Sequence, residues 1–159
     1  MDSIGIMVRK QTAADQALRL DNQICFAVYS TAHAFNRVYK PLLDRLGLTY
    51  PQYLVMLALW ERDDVPVKDL GERLFLDSGT LTPLLKRLEA AALIKRTRST
   101  ADERVVLIAL TAQGHALREK AKAVPQSILA ASDCSVGELL AMKDEIVALR
   151  DRLNAVLGE

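Results

Sequence analysis

Cysteine is scarce in this 159-residue chain: there are two, Cys25 and Cys134, far apart, with no Cys-x-x-Cys pair and no histidine at ligand spacing. That argues against a disulfide framework and a zinc site. No metal or cofactor is expected, and in a reducing cytosol both side chains rest as thiols. Long apolar runs are missing too. The stretch 1–16 holds none of signal-peptide length, and the longest elsewhere, 54–60, is far too short to span a bilayer, so a cytoplasmic protein with no membrane partner is expected. Glycine (seven) and proline (five) are sparse while 50% of the residues are hydrophobic, which sets aside disordered and all-β chains. One compact, largely helical domain over 1–159 remains.

Neither sign of charge dominates: 21 Lys and Arg face 20 Asp and Glu, a formal net charge of +1. The total says nothing about nucleic acid, but the distribution does. Between residues 78 and 104, six basic residues (Lys86, Arg87, Lys95, Arg96, Arg98, Arg104) stand against three acidic ones (Glu89, Asp102, Glu103). A phosphate backbone fits there.

Apolar residues recur at three- and four-residue steps. The stripe Ile24, Val28, Thr31, Phe35, Val38, Leu42 predicts a first helix over 21–46, with Pro41 kinking or fraying its last turn and Gly47 ending it. Thr49 as N-cap and Pro51 in the first turn open a second helix to about residue 62, after which Asp63-Asp64 turns the chain. A short third helix, 67–75, buries Val67, Leu70 and Leu74. Asp77 and Ser78 cap a fourth that reaches about residue 91, with Leu81, Leu84, Leu85 and Leu88 on one face.

Strands over 94–98 and 104–110 flank the polar turn 99–103 as a β-hairpin. Thr111 caps a fifth helix, broken or bent near Pro125. Ser135 opens a sixth, to about residue 157, whose Leu139, Met142, Ile146, Leu149, Leu153 and Val156 form an a/d seam. The seam fits either the chain's own first or fifth helix or packing across a dimer. The fold class is mainly α, about six helices, with a small β-hairpin wing behind a helix-turn-helix.

In such a motif the second helix enters the major groove, where short polar and basic side chains reach base edges and phosphates. Ser78, Thr80, Thr82, Lys86 and Arg87 suit that role, and Gly79 lets the backbone come close. Pro83, unusual inside a helix, sets its ring against the carbonyl of Gly79, where relaxation is easiest. At the hairpin tip Asp102 and Arg104 stand two apart, so the carboxylate could hold the guanidinium out toward a narrow minor groove. On the residues alone, the helix reads more readily as a solvated surface helix than as a DNA-binding one, and the pair as an exposed ion pair worth little.

The run Arg98-Ser99-Thr100-Ala101-Asp102-Glu103-Arg104, the apolar strand after it and Leu110-Thr111-Ala112-Gln113-Gly114 resemble the wing and following helix start of MarR-family repressors. The resemblance runs from about Leu20 to the C-terminus. It implies a homodimer in which 17–46 and 111–159 supply the dimerisation helices, while 49–110 is a winged helix-turn-helix that each subunit offers to pseudo-palindromic double-stranded operator DNA.

The segment Leu20-Asp21-Asn22-Gln23-Ile24-Cys25-Phe26-Ala27-Val28-Tyr29, with Tyr39-Lys40-Pro41-Leu42 and Gly47-Leu48-Thr49-Tyr50-Pro51-Gln52-Tyr53, is similar to the organic hydroperoxide resistance regulators of that family, the OhrR branch, two-cysteine type. The similarity implies oxidation of Cys25 by an organic hydroperoxide and hydrogen bonds to it from Tyr39 and Tyr50 of the partner subunit. It also implies that Tyr29 lies near the sensing pocket and that Cys134 is the resolving thiol of an intersubunit disulfide.

Spacing bears on this independently. Cys25, Tyr29, Ala32, Asn36 and Tyr39 are 4, 3, 4 and 3 apart and share one helix stripe. Fourteen residues nevertheless put Tyr39 roughly 21 Å along the axis from Cys25. The two meet only where two copies of the helix cross antiparallel about a two-fold axis. Cys25 falls in the first turn after Asp21, where a helix N-terminus favours the thiolate. Burial beside Ile24 and Phe26 would favour bulky organic hydroperoxides over hydrogen peroxide. The residues by themselves leave Cys25 either an inert core thiol or a reactive one, and Cys134 either an ordinary turn residue or its partner.

The expected function is a transcriptional repressor that holds operator DNA when reduced and releases it when Cys25 is oxidised. Two other readings stay open. One is a MarR-type regulator released by a reversibly bound small phenolic ligand. The other is a thiol peroxidase, against which the wing and the lack of a βαβ pattern both stand, so no enzyme is expected.

Overall fold

The computed structural model describes residues 12–158; residues 1–11 and 159, which belong to the domain expected over 1–159 and to its apolar-poor start, lie outside the described residues. The chain groups into two units, Met1–Arg37 and Val38–Glu159.

In the first unit, helix α1 (Ala13–Ala17) opens on a capping box: Thr12 Oγ1 accepts from the Asp15 amide at 3.1 Å and the Asp15 carboxylate accepts from the Thr12 amide at 2.8 Å. A 3-10 turn, Leu20–Asn22, follows, and Gln23 Nε2 donates to the carbonyls of Ala17 and Arg19. Because that turn takes up 20–22 and Gln23 is extended, the long helix α2 (Ile24–Asp44) begins at residue 24 and not at 21 as the spacing predicts. Cys25 is its second residue. Ile24, Phe26, Val28, Tyr29 and Phe35 are all exposed, so the described residues do not build the apolar burial expected around Cys25.

In the second unit α2 passes Pro41 without ending. The proline lies in the last turn, where a missing N–H costs one hydrogen bond, and Lys40 and Asp44 pair at 3.0 Å across it. The stop is a Schellman motif: the Leu48 amide donates to the Leu43 carbonyl and Gly47 to Asp44, both at 3.1 Å, with Gly47 at φ +69° and Leu43 and Leu48 both buried. Helix α3 (Tyr50–Glu61) starts on a Thr49–Gln52 capping box, which also satisfies Gln52, a buried polar side chain.

Strand β1 (Val65–Pro66) leads into α4 (Val67–Leu74) and α5 (Ser78–Ala90). Leu70 is buried as expected. Val67 and Leu74 are only half-buried, Val67 because it lines an open cleft bounded by α4, α5 and the wing. Strands β2 (Ile94–Arg98) and β3 (Val106–Leu110) pair antiparallel, from Ile94 opposite Leu110 to Arg98 opposite Val106. Residues 104 and 105, expected in the second strand, belong instead to the turn, because Asp102 takes the Arg104 amide with its carboxylate and the Val105 amide with its carbonyl. The wing has a third strand that the sequence pattern does not reveal: β1 pairs with β3, Val65 opposite Ile108. Pro66 is tolerated there because the strand is at the edge.

The expected fifth helix is two, α6 (Ala112–Ala121) and α7 (Ala123–Ser132), so that Pro125 sits in the first turn of α7 where its missing N–H is harmless. Helix α8 (Val136–Leu157) starts on a Ser135–Glu138 capping box and ends at Gly158, φ +74°. Among the described residues there are thus eight α-helices against about six expected, the difference being α1 and the split. The core of this unit is Leu43 of α2, Met56 and Leu59 of α3, Leu70 of α4, Leu81, Leu85 and Leu88 of α5, and Ile94 and Ile108 of the wing. Each contributes roughly 1.5–3 kcal/mol by leaving water. By contrast α8 buries no residue, and Met142, Ile146, Leu153 and Val156 of its seam are exposed. Among the described residues no helix is long and apolar enough to cross a membrane.

Candidate DNA-binding surface and thiol sites

Helix α5 sorts its side chains by its period. Leu81, Leu84, Leu85 and Leu88 face the core; Ser78, Gly79, Thr80, Pro83, Lys86 and Arg87 are exposed, and Thr82 is half-buried. Asp77 caps the helix, Oδ1 accepting from the Thr80 amide at 2.8 Å and Oδ2 from its hydroxyl at 3.2 Å, and these bonds hold its carboxyl below the usual range. The C-terminal half of α5 is tied to the wing by an ion pair that the sequence does not foretell: Arg96 Nε donates to Glu89 Oε2 at 2.8 Å and the Arg96 amide to Oε1 at 3.3 Å. Helix and β2 therefore present Lys86, Arg87, Lys95 and Arg98, all exposed, from one framework.

At the wing tip Ser99 Oγ accepts from the amides of Ala101 and Asp102, and the Asp102 carboxylate takes Arg104 with both oxygens. The hydrogen bonds from the guanidinium, then that from the Arg104 amide, keep the Asp102 carboxyl below its ordinary range; the same contact raises Arg104. Arg98 Nη1 donates to the Glu103 carbonyl at 3.5 Å.

The join between wing and α6 explains the motif at 110–114. Thr111 Oγ1 donates to the Ala92 carbonyl at 2.6 Å and accepts from the Gly114 amide at 3.0 Å. A Cβ on Gly114 would lie 2.1 Å from the Leu93 carbonyl oxygen, so only glycine fits. Trp60 Nε1 donates to the Gly114 carbonyl at 2.9 Å. Asp63 Oδ1 accepts from the amides of Asp64 and Leu110, both at 2.8 Å, and Oδ2 lies 3.1 Å from His115 Nε2. No local signal marks Asp63 as this anchor, since Leu110 is 47 residues away in sequence.

Tyr39 and Tyr50, singled out from the sequence, are in contact, ring centroids 4.8 Å apart, and Tyr53, which was not, joins them at 6.0 Å from Tyr39. Burial, then the neighbouring phenols Tyr50 and Tyr53, push the Tyr39 hydroxyl up to about 12, and Tyr50 and Tyr53 are raised by burial as well. All three stay protonated, able to donate a hydrogen bond, across the physiological range. Tyr29, one turn from Cys25 on α2, packs edge-on against His33, centroids 4.4 Å apart. Both cysteines are free; Cys25 is exposed. Cys134 lies half-buried in the turn between α7 and α8, its thiol donating to the Ser132 carbonyl at 3.3 Å.

A helix-turn-helix whose second helix shows polar and basic residues, followed by a basic wing, defines a winged-helix DNA-binding protein. The profile of the family described as transcriptional regulator SarA/Rot matches residues 37–121. The regulator TtmR of Methylorubrum extorquens (strain PA1) is 49% identical over 151 residues, 95% of this chain and 77% of its own length. The organic hydroperoxide resistance transcriptional regulator of Bacillus subtilis (strain 168) is 49% identical over 137 residues, 86% of this chain and 93% of its own. Among solved structures, AbfR of Staphylococcus epidermidis has been seen reduced and bound to DNA, with 36% identity and a TM-score of 0.73 over 91% of this chain and 99% of that one. It has also been seen with a disulfide formed, with 37% identity and a TM-score of 0.60 over 86% and 96%. The chain belongs to the SarA/Rot family of MarR-like transcriptional regulators, and within it to the branch that holds the Bacillus subtilis regulator. These are regulators and not enzymes, which removes the peroxidase reading.

Proposed function

We propose that this chain is a redox-responsive repressor that binds pseudo-palindromic operator DNA as a homodimer while its thiols are reduced and leaves it when an organic hydroperoxide oxidises Cys25. The single observation that carries the reading is the near full-length similarity to a regulator named for organic hydroperoxide resistance, in a chain whose first cysteine is exposed in the first turn of α2. The proton-holding phenols Tyr39 and Tyr50 support it as donors to a thiolate reaching them from a second copy, and the exposed Met142, Ile146, Leu153 and Val156 of the α8 seam support the dimer.

In the proposed sequence the Cys25 thiolate attacks the hydroperoxide, the O–O bond breaks, and sulfenic acid and an alcohol are formed. The thiol of Cys134 of the partner subunit then displaces water from the sulfenic acid and closes an intersubunit disulfide. The new bond favours a second dimer arrangement in which the two α5 helices no longer match the groove spacing. Surfaces offered to DNA are Ser78, Gly79, Thr80, Thr82, Pro83, Lys86 and Arg87 of α5 and Arg98, Asp102 and Arg104 of the wing; Tyr29 is assigned to the rim of the thiol pocket.

The test is a binding titration on a duplex selected by the reduced protein, with cumene hydroperoxide added to wild type, Cys25→Ser and Cys134→Ser, beside a non-reducing gel. Wild type should release the duplex and run as a crosslinked dimer, and Cys25→Ser should do neither. Release by oxidised Cys25→Ser sinks the sensing role, and an intact crosslink in Cys134→Ser sinks the resolving role.

A further inference from the structure

Met142, Ile146, Leu153 and Val156 of the α8 seam are exposed, while other side chains of the helix reach the DNA-binding elements. The Arg150 guanidinium lies over the Phe75 ring, 4.6 Å from its centroid. Asn154, one turn further along α8, is half-buried and lines the cleft that Phe75, Ser78 and Thr82 also line. Phe75 ends α4 and opens the turn to α5. The contact is therefore made at the turn that aims the recognition helix.

Phe75 is doubly costly in that place. Its backbone is left-handed, φ +55° and ψ +40°, where glycine or asparagine sits with little strain and a bulky residue does not. The residue is 63% exposed, so core burial does not account for it either. A strained backbone at an exposed aromatic residue is the kind of outlier from which a role can be argued. The stack with Arg150 offsets both costs, and Asp151 Oδ1, accepting from Arg150 Nε at 3.0 Å and Nη2 at 2.8 Å, holds the guanidinium at its edge and leaves a face for the ring.

We propose that Arg150 is a positioning residue for operator binding: seated on Phe75, it ties α8 to the turn at 75–77 and sets the angle at which α5 meets the groove. The inference rests on the reading of the chain as an operator-binding dimer. In that dimer the contact occurs twice, and it makes the tilt of both recognition helices depend on how the two α8 helices lie against each other.

The full-length reduced wild type is used to select a duplex from random-sequence DNA. Affinities are then measured by anisotropy for that duplex and for the same duplex lengthened by one base pair between its half-sites. Arg150→Gln and Phe75→Leu should each bind the selected duplex about fivefold more weakly and lose most of the preference over the lengthened one. The double variant should be no worse than either single one, and Arg150→Lys, which keeps a cation, should retain the preference. Melting curves overlapping that of wild type separate a change of aim from unfolding. Undiminished spacing preference in Arg150→Gln and Phe75→Leu overturns the proposal, as does an additive double variant. A wild type that selects no duplex at all overturns the operator-binding reading and this inference with it.

Discussion

Both oxygens of the Asp102 carboxylate hold one guanidinium, Arg104 Nε to Oδ1 at 3.0 Å and Nη2 to Oδ2 at 3.1 Å, while Oδ1 also accepts the Arg104 amide at 3.1 Å. The Arg104 side chain is 90% exposed, so the pair adds little to stability; what it fixes is direction. Arg104→Ala should weaken binding to a selected operator about tenfold, and Asp102→Asn, which frees the arginine without removing it, about threefold. Anisotropy titrations at one salt concentration give both values. Equal affinities for wild type and Arg104→Ala would remove the wing tip from the interface.

Gly114 has a different task. With only 2.1 Å between the place a Cβ would occupy and the Leu93 carbonyl oxygen, Gly114→Ala forces α6 away from the residue that precedes β2. A loss of about 3 kcal/mol is expected, lowering the melting temperature by about 6–12 °C. Calorimetry checks it, and a shift under about 2 °C would mean that the join is looser than its geometry implies.

The phenol cluster gives a prediction in pH. Tyr39 is raised from 10.0 to about 12 because the fold prefers its neutral form, so its contribution to stability is intact below pH 10 and is lost as pH rises toward 12. An absorbance titration of native protein should show a late phenol step near pH 12 that Tyr39→Phe lacks. Titration of every phenol near 10 in the native protein would contradict the cluster.

Ile146 and Leu153 lie exposed on the seam of α8. A charge there should oppose burial against a second copy, so Ile146→Glu and Leu153→Glu should shift sedimentation toward the monomer at concentrations where wild type is dimeric, weakening association about a hundredfold or more. A wild type that sediments as a monomer would count against the seam as an interface.

Elements with a local chemical signature were legible in the sequence. Thr49, Asp77, Thr111 and Ser135 each cap the helix they were expected to cap, because capping is decided within three residues. The α5 leucines and the β2–β3 hairpin were likewise local patterns. The two-residue β1 was not legible, since it has too few positions to show alternation and owes its pairing to Ile108, far along the chain. Asp63, Glu89 and Phe75 were missed for the same reason: each acts through a partner brought up by the fold. In the candidate thiol site, spacing told that Cys25 and Tyr39 could not meet within one helix, but not that Tyr53 would complete the phenol cluster. Ile24 and Phe26, whose burial beside Cys25 the sequence suggests, are exposed among the described residues, since burial depends on what packs against a side chain and not on its own apolar character.

Trp60 is the one tryptophan in the chain, and its indole N–H is bonded to the carbonyl of Gly114 where the wing hands over to α6. Tyr53 stands edge-on to it at 6.4 Å, and through Tyr39 the line of rings continues to Tyr50. The molecule thus carries its own fluorophore, with three tyrosine donors ranged toward a single acceptor. Light absorbed by the phenols will emerge as indole emission, and any rearrangement of that aromatic file will register as a change in colour or yield without a label being attached.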